Sequence, residues 1–183
     1  MATTQEAATS TTWKIDPAHT HVEFAVKHLM ISTVKGRFTD VDGEVVLADG
    51  DLSRSSVTAT MKTASLDTRV DQRDQHLRSA DFLDVANFPE ITFKSKRITG
   101  DSEELKVVGD LTIRGATKEV TLEVTNEGSG KDPWGGERIG FSGKAKFDRR
   151  DFGLVWSQAM ENGGVVVGHE VKVSLEIEAV KQA

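Results

Sequence analysis

The side chains that could do chemistry in this sequence fall into a few short clusters. His19 and His21 are two residues apart, so on an extended segment they face the same side and could hold a metal. Two imidazoles with no third ligand nearby make a poor site, and the pair reads better as a solvated strand end. Ser65, Asp67 and His76 supply the residue types of a hydrolytic triad, yet no G-x-S-x-G elbow presents the serine. Asp81, Asp84 and Glu90 could serve acid–base chemistry, although an exposed helix face explains them better. Gly163, Gly164 and Gly168 lack the lysine and following helix of a phosphate loop and read as a turn and the start of a strand. With no cysteine, thiolate catalysis, thiolate metal sites and disulfides are excluded.

The remaining polar candidates suit binding. Arg69, Arg73, Arg78, Arg149 and Arg150 offer guanidinium groups, whose planar fork matches phosphate. Arg73 and Asp74 could instead pair with each other, and His76 could anchor a helix. For Asp148, Arg149 and Asp151 a turn held by a local ion pair is the better reading. His28 ends an apolar strand face, where a buried imidazole needs a polar partner.

These groups sit on strands. Period-two alternation runs through Val22/Phe24/Val26/His28, Leu105/Val107/Gly109/Leu111/Ile113, Ile139/Phe141/Gly143/Ala145/Phe147 and Val167/His169/Val171/Val173/Leu175/Ile177. Turns are expected at Asp42-Gly43, Asp49-Gly50-Asp51, Arg114-Gly115 and the loop 127–137. One helical, charge-rich insertion at 71–95 interrupts the pattern. Leu77, Phe82 and Val85 give it an apolar side, Asp71, Arg73, Asp74, Arg78, Asp81 and Asp84 a polar one, and Pro89 ends any helix. The expected architecture is all-β: an eight-stranded antiparallel up-and-down barrel with a short helical cap between strands. Hairpin-length connections favour a barrel over a sandwich, and closure removes exposed edges. A barrel of that size is either just filled or able to hold one small ligand. Ala59, Ser95, Gly109, Gly143 and Ala145 share the inward parity, marking either cavity space or bends.

The chain suits a single domain, 13–183, after a disordered tail, 1–12. Its 23 basic and 29 acidic residues give a charge of −6, which argues against nucleic acid or an anionic membrane surface as partner. No apolar run of membrane-spanning length occurs. The opening MATTQEAATSTT has neither a basic n-region nor an apolar h-region, so a cytoplasmic location is expected.

The segments VEFAVKH, VKGRF, SLDTR, RDQHLRSADFLDV, FPEITF, GDLTIRGATKEV and FDRRDFG, in this order, resemble the YceI-like family of bacterial polyisoprenoid-binding proteins. The resemblance spans about 13–180 and implies a lipocalin-like barrel holding a long isoprenoid, an isoprenoid quinone or another amphiphilic lipid. It further implies dimers and, in many members, export to the periplasm. This chain departs from the pattern in its start and at His169, where an acidic or small polar residue is expected. Parity and the resemblance together assign the ligand-binding set: Phe24, Val26, His28, Phe38, Met61, Leu77, Phe82, Phe93, Leu111, Phe141, Ala145, Phe147, Val171 and Val173, with Val22 beside them. His28, Arg69, Arg73 and His76 are the head-group candidates. The expected function is lipid binding and carriage without catalysis, metal or cofactor, the lipid itself being the ligand. Two other readings stay open: a small barrel enzyme acting on a lipid through His28 or His76, and a stress-related interaction module with a filled barrel.

Overall fold

The computed structural model describes residues 9–183. Apolar alternation along the chain produces eleven strand segments that assemble as eight staves. β1 (Ser10–Ile15) and β2 (His21–His28) are two halves of one stave, separated where Pro17 starts a single 3-10 turn, Pro17–His19. Asp16 caps that turn, its carboxylate accepting from the Ala18 amide at 3.0 Å. β3 (Ser32–Phe38) and β4 (Val41–Ala48) form the second stave, and β5 (Ser56–Lys62) and β6 (Leu66–Asp67) the third. β7 (Glu90–Gly100), β8 (Glu104–Ile113), β9 (Ala116–Lys131), β10 (Glu137–Asp148) and β11 (Val167–Lys181) complete the ring.

Every neighbouring pair is antiparallel. The order β1-β4-β5-β7-β8-β9-β10-β11 closes when β11 returns to β1, while β2, β3 and β6 extend the first three staves beyond. At the seam, β11 pairs with β1 through Trp13↔Lys181 and Ile15↔Ala179 and with β2 from Glu176↔His21 to Val171↔Val26. This is the closed eight-stranded barrel that alternation and short connections imply. One short helix, α1 (Asp71–Arg78), lies across one end.

Local readings need correction. β1 begins at Ser10, so residues 10–12 are strand, paired with Val46, Leu47 and Ala48; the rest of the expected tail, apart from residue 9, lies outside the described residues. Asp42-Gly43 is not a turn but the interior of β4, where a glycine is needed because a Cβ would come within 2.4 Å of the Thr58 carbonyl and 2.7 Å of Ile15. The loop 127–137 contracts because β9 continues to Lys131. The helix stops at Arg78, well before Pro89: Ser79 turns extended, and its carbonyl accepts from Phe82 and Asp84 in a run of turns. Phe82 therefore reaches the interior from a turn rather than from a helix face.

The end of the barrel away from α1 is fastened by one guanidinium. Arg138 on β10 donates to Asp16 at 2.8 Å, Glu178 on β11 at 2.6 Å and Asp132 at 3.0 Å. The Asp16 carboxyl, held first by His19 and then by Arg138, drops to about 2, while these three carboxylates push the guanidinium above its ordinary value. A depressed carboxyl stabilises the fold above its ordinary pKa near 4 and loses that contribution as pH falls through about 2. Arg138→Met should therefore cost about 1 kcal/mol at neutral pH. In urea unfolding the gap from the parent chain should close below about pH 2; a gap unchanged by acid would show that packing rather than charge carries the effect.

The β2–β3 turn is strained. Leu29 and Met30 have φ of 52° and 62°, and the Ile31 amide donates to the His28 carbonyl at 3.2 Å, so two side-chain-bearing residues stand where Asn-Gly is preferred. Leu29, Met30 and Ile31 are all exposed. Replacing Leu29 with Asn and Met30 with Gly should raise stability by roughly 1 kcal/mol. A loss in thermal unfolding would reveal packing that outweighs the strain.

Candidate functional site

The barrel interior is hollow. A cavity of ≈ 270 Å³ runs along it, lined from all eight staves. On β8 the lining extends from Leu105 to Ile113, about 27 Å of strand at roughly 3.4 Å per residue. At about 10–15 Å³ for each water-sized group, the space holds on the order of twenty such groups. Glu23, Ser55 and Arg149 are the polar residues on its wall; all the others are apolar. An apolar void of this kind excludes water and accepts hydrocarbon.

The sequence-assigned residues fall as follows. Phe24, Val26, Phe38, Met61, Leu77, Phe82, Phe93, Leu111, Phe141, Ala145, Phe147, Val171 and Val173 all line the cavity, as does Val22. His28 does not: it is half-buried at the end of β2, opposite Val167, where β11 is irregular between Val167 and Val171. Among the residues chosen for making room, Ala59 and Ala145 are on the wall, but the space over Gly109 is filled. A Cβ there would meet the Phe93 ring at 2.5 Å. Ser95 spends its hydroxyl on the Val57 amide at 2.9 Å, beside the register shift between Ser95 and Arg97.

The remaining head-group candidates are occupied elsewhere or point to solvent. Arg69 is exposed. Arg73 and Asp74 do not pair directly; both bind Thr68. Arg73 donates to its hydroxyl at 2.8 Å and its carbonyl at 2.9 Å, and Asp74 accepts from its amide at 2.9 Å and its hydroxyl at 2.5 Å. Asp74 is thus buried rather than part of the polar helix face. Arg78 donates to the carbonyls of Ala64 and Leu66, tying α1 to the third stave. His76 bonds Asp81 at 2.9 Å and sits edge-on to Phe82 and Trp156, centroids 5.1 and 4.6 Å away. It joins α1 to the 149–166 loop through Trp156.

The cap follows from these contacts. Leu77, Phe82 and Leu83 descend from the α1 region, Leu154 comes from the opposite loop, and all four line one end of the cavity. The Phe82 carbonyl accepts from Arg114 at 2.8 Å, which pins the plug to the β8–β9 hairpin. Alternation does not point to Leu83 or Leu154, because neither lies on a strand.

The catalytic constellations do not assemble. Ser65 donates to the Lys62 carbonyl, Asp67 pairs with Arg37, and His76 is committed to Asp81. Asp84 accepts from Asn87, and Glu90 pairs with Lys62. His19 finds Asp16 and Glu178 rather than His21, with ligand atoms within 4.8 Å of one another. Arg138 already holds both carboxylates of that group.

Sequence comparison then places the fold. The YceI-like domain pattern matches residues 13–179. The chain belongs to the YceI-like family. It is 38% identical to protein YceI of Salmonella newport strain SL254 over 181 residues, 98% of this chain and 92% of that one. The crystal structure of a Campylobacter jejuni YceI protein superposes with a TM-score of 0.71 at 34% identity, covering 86% of this chain and 90% of that one. A polyisoprenoid-binding domain from Saccharophagus degradans shares the fold at TM-score 0.66 and 14% identity, over 91% and 97% of the two chains. In this YceI-like barrel no helix is long and apolar enough to cross a membrane among the described residues.

Phe82 is 6% exposed and touches both His76 and Trp156. Phe82→Ala should cost about 3–5 kcal/mol and unplug the capped end. Denaturant unfolding reads the first effect and the release rate of a bound fluorescent fatty chain reads the second; a change near zero in both would place the ring outside the seal.

Proposed function

We propose that this YceI-like barrel binds and carries a long isoprenoid or similar amphiphilic lipid in its interior, without catalysis. The observation that carries this reading is the hollow itself. At about 24 cal/mol per Å³, a void of this volume costs on the order of 6 kcal/mol when empty. That is a large share of the 5–15 kcal/mol that typically separates folded from unfolded chains. A barrel with a purely structural task would fill the space with larger side chains. Instead Ala59 and Ala145 stand on the wall among phenylalanines.

Transfer energetics agree. Each methylene moved from water into such a wall contributes about 0.8 kcal/mol, so a long chain is held firmly without any specific contact. The polyisoprenoid-binding domain that shares this fold supports the choice of an isoprenoid. A lipid-modifying enzyme would need an acid, base or nucleophile facing the chain. His28 is off the wall and His76 is bonded to Asp81 behind the plug residues; of the polar wall residues, Glu23 is exposed and Ser55 spends its hydroxyl oxygen accepting from the Ala48 amide at 3.0 Å.

Organic extraction of the purified protein followed by mass spectrometry should yield about one prenyl or acyl lipid per chain. Ala145→Phe should remove that lipid while near-ultraviolet circular dichroism stays native. An extract empty of lipid, from a protein that also fails to take up an added prenyl chain, would end the carrier reading.

A further inference from the structure

Arg149 is the polar residue of the cavity wall whose burial is hardest to explain. It follows Ala145 and Phe147 at strand parity, directly after β10, and is 3% exposed. Its Nε donates to the Gly168 carbonyl at 2.8 Å, one Nη to those of Leu154 at 2.5 Å and Trp156 at 2.9 Å, and the other Nη to that of Val167 at 3.1 Å. All four acceptors are neutral. A guanidinium carries five N–H donors, so one on the second Nη is left over. Among the described residues no carboxylate pairs with it: Asp148, its chain neighbour, is taken by Arg150, which donates to both carboxylate oxygens.

The result is a charge withdrawn from water, next to a dry apolar cavity, with no counter-ion. Burial pulls this guanidinium below its ordinary value, with Asp148 opposing from a distance. Burying an unpaired charge is costly, and a neutral amide could satisfy part of the same carbonyl set without that cost. A permanent cation with a spare donor makes sense when an anion arrives with the ligand. A charge-assisted bond in such surroundings is stronger than the same bond in water.

We propose that Arg149 binds the anionic oxygen head of the carried lipid, which therefore enters head-first toward the capped end, with its hydrocarbon tail along the barrel. The chemical class this selects is a prenyl or acyl chain ending in a phosphate or carboxylate, in preference to a neutral hydrocarbon or ester of equal length. The inference rests on the carrier reading above and goes further by fixing the head group, its partner and the ligand's direction.

Delipidated full-length protein should be titrated with two probes of one chain length, geranylgeranyl monophosphate and geranylgeranyl acetate. The parent chain should bind the phosphate at least tenfold more tightly. In Arg149→Gln, which keeps amide donors for the loop carbonyls, both probes should still bind and the ratio should fall to near one. The ratio is unaffected by a general loosening of the barrel, which weakens both probes alike. If Arg149→Gln fails to fold, arginine side-chain ¹⁵N spectra of the parent protein decide instead: the Arg149 Nε resonance should shift with the phosphate and stay fixed with the acetate. Equal affinities in the parent protein, an unchanged ratio in the variant, or a resonance indifferent to the phosphate would each overturn the head-group assignment while leaving the carrier intact. Binding of neither probe would overturn the carrier reading itself and this assignment with it.

Discussion

Closure of the sheet on itself is the constraint from which everything else in this molecule follows. β11 offers a single free edge, and β1 and β2 share it, one at each end. Pro17 marks the break: the 3-10 turn it starts separates the two halves of the first stave while both keep pairing with β11. The eight-strand ring itself has no open edge, only the two-residue β6 ending the β2-β3-β6 extension, and the inward side chains of the ring face one shared volume. The fasteners of the seam follow from its geometry. Arg138 links β10, β11 and the Asp16 cap at the point where the first stave breaks, so a cluster of ionic contacts bridges the break.

Closure also explains why the interior can stay open. Eight staves fix a diameter at which side-chain volume alone decides between a filled core and a cavity. Here large inward residues lie over small ones. Phe24 lies over Gly36 and Phe93 over Gly109, so the aromatic rings fold back against their own sheet instead of meeting at the axis. The packing that stabilises the wall is the same packing that keeps the bore clear. The buried clusters divide accordingly: one gathers under the cap around Leu66, Leu83, Phe152 and Leu154, and another holds the opposite end around Trp13, Val45, Ile139 and Ala179.

How much of this was legible in the sequence depended on whether period two applied. Strand residues such as Phe141, Ala145 and Phe147, or Val171 and Val173, reach the cavity as alternation requires. Alternation failed wherever the chain leaves regular pairing. Parity with Val26 points His28 inward, but the stretch of β11 opposite it, between Val167 and Val171, is irregular and His28 is off the wall. Asp42-Gly43 looks like a turn because its composition is that of one; only the approach of Ile15 and the Thr58 carbonyl shows that its glycine serves close packing inside a strand. Leu83 and Leu154 lie in turns, where no local rule tells which way a side chain faces.

Arg149 shows the opposite error, in which a sound pattern was overruled by residue type. It continues the inward series of Ala145 and Phe147, but a charged residue in an Asp-Arg-Arg-Asp run reads as surface. The run does hold a local ion pair, but it joins Asp148 to Arg150 and leaves out Arg149 and Asp151, which the sequence reading counts in it. Both oxygens of Asp148 are engaged by Arg150, and Asp148 makes no hydrogen bond or salt bridge to Arg149. A local pairing at the surface thus leaves a lone cation beneath it. The four carbonyls that Arg149 collects come from Leu154, Trp156, Val167 and Gly168, which flank both sides of the long loop across the capped end. Trp156 in turn packs on His76 and Phe82. The buried charge, the loop and the α1 plug are therefore one connected assembly, and whatever engages the guanidinium from the cavity side also bears on the seal above it.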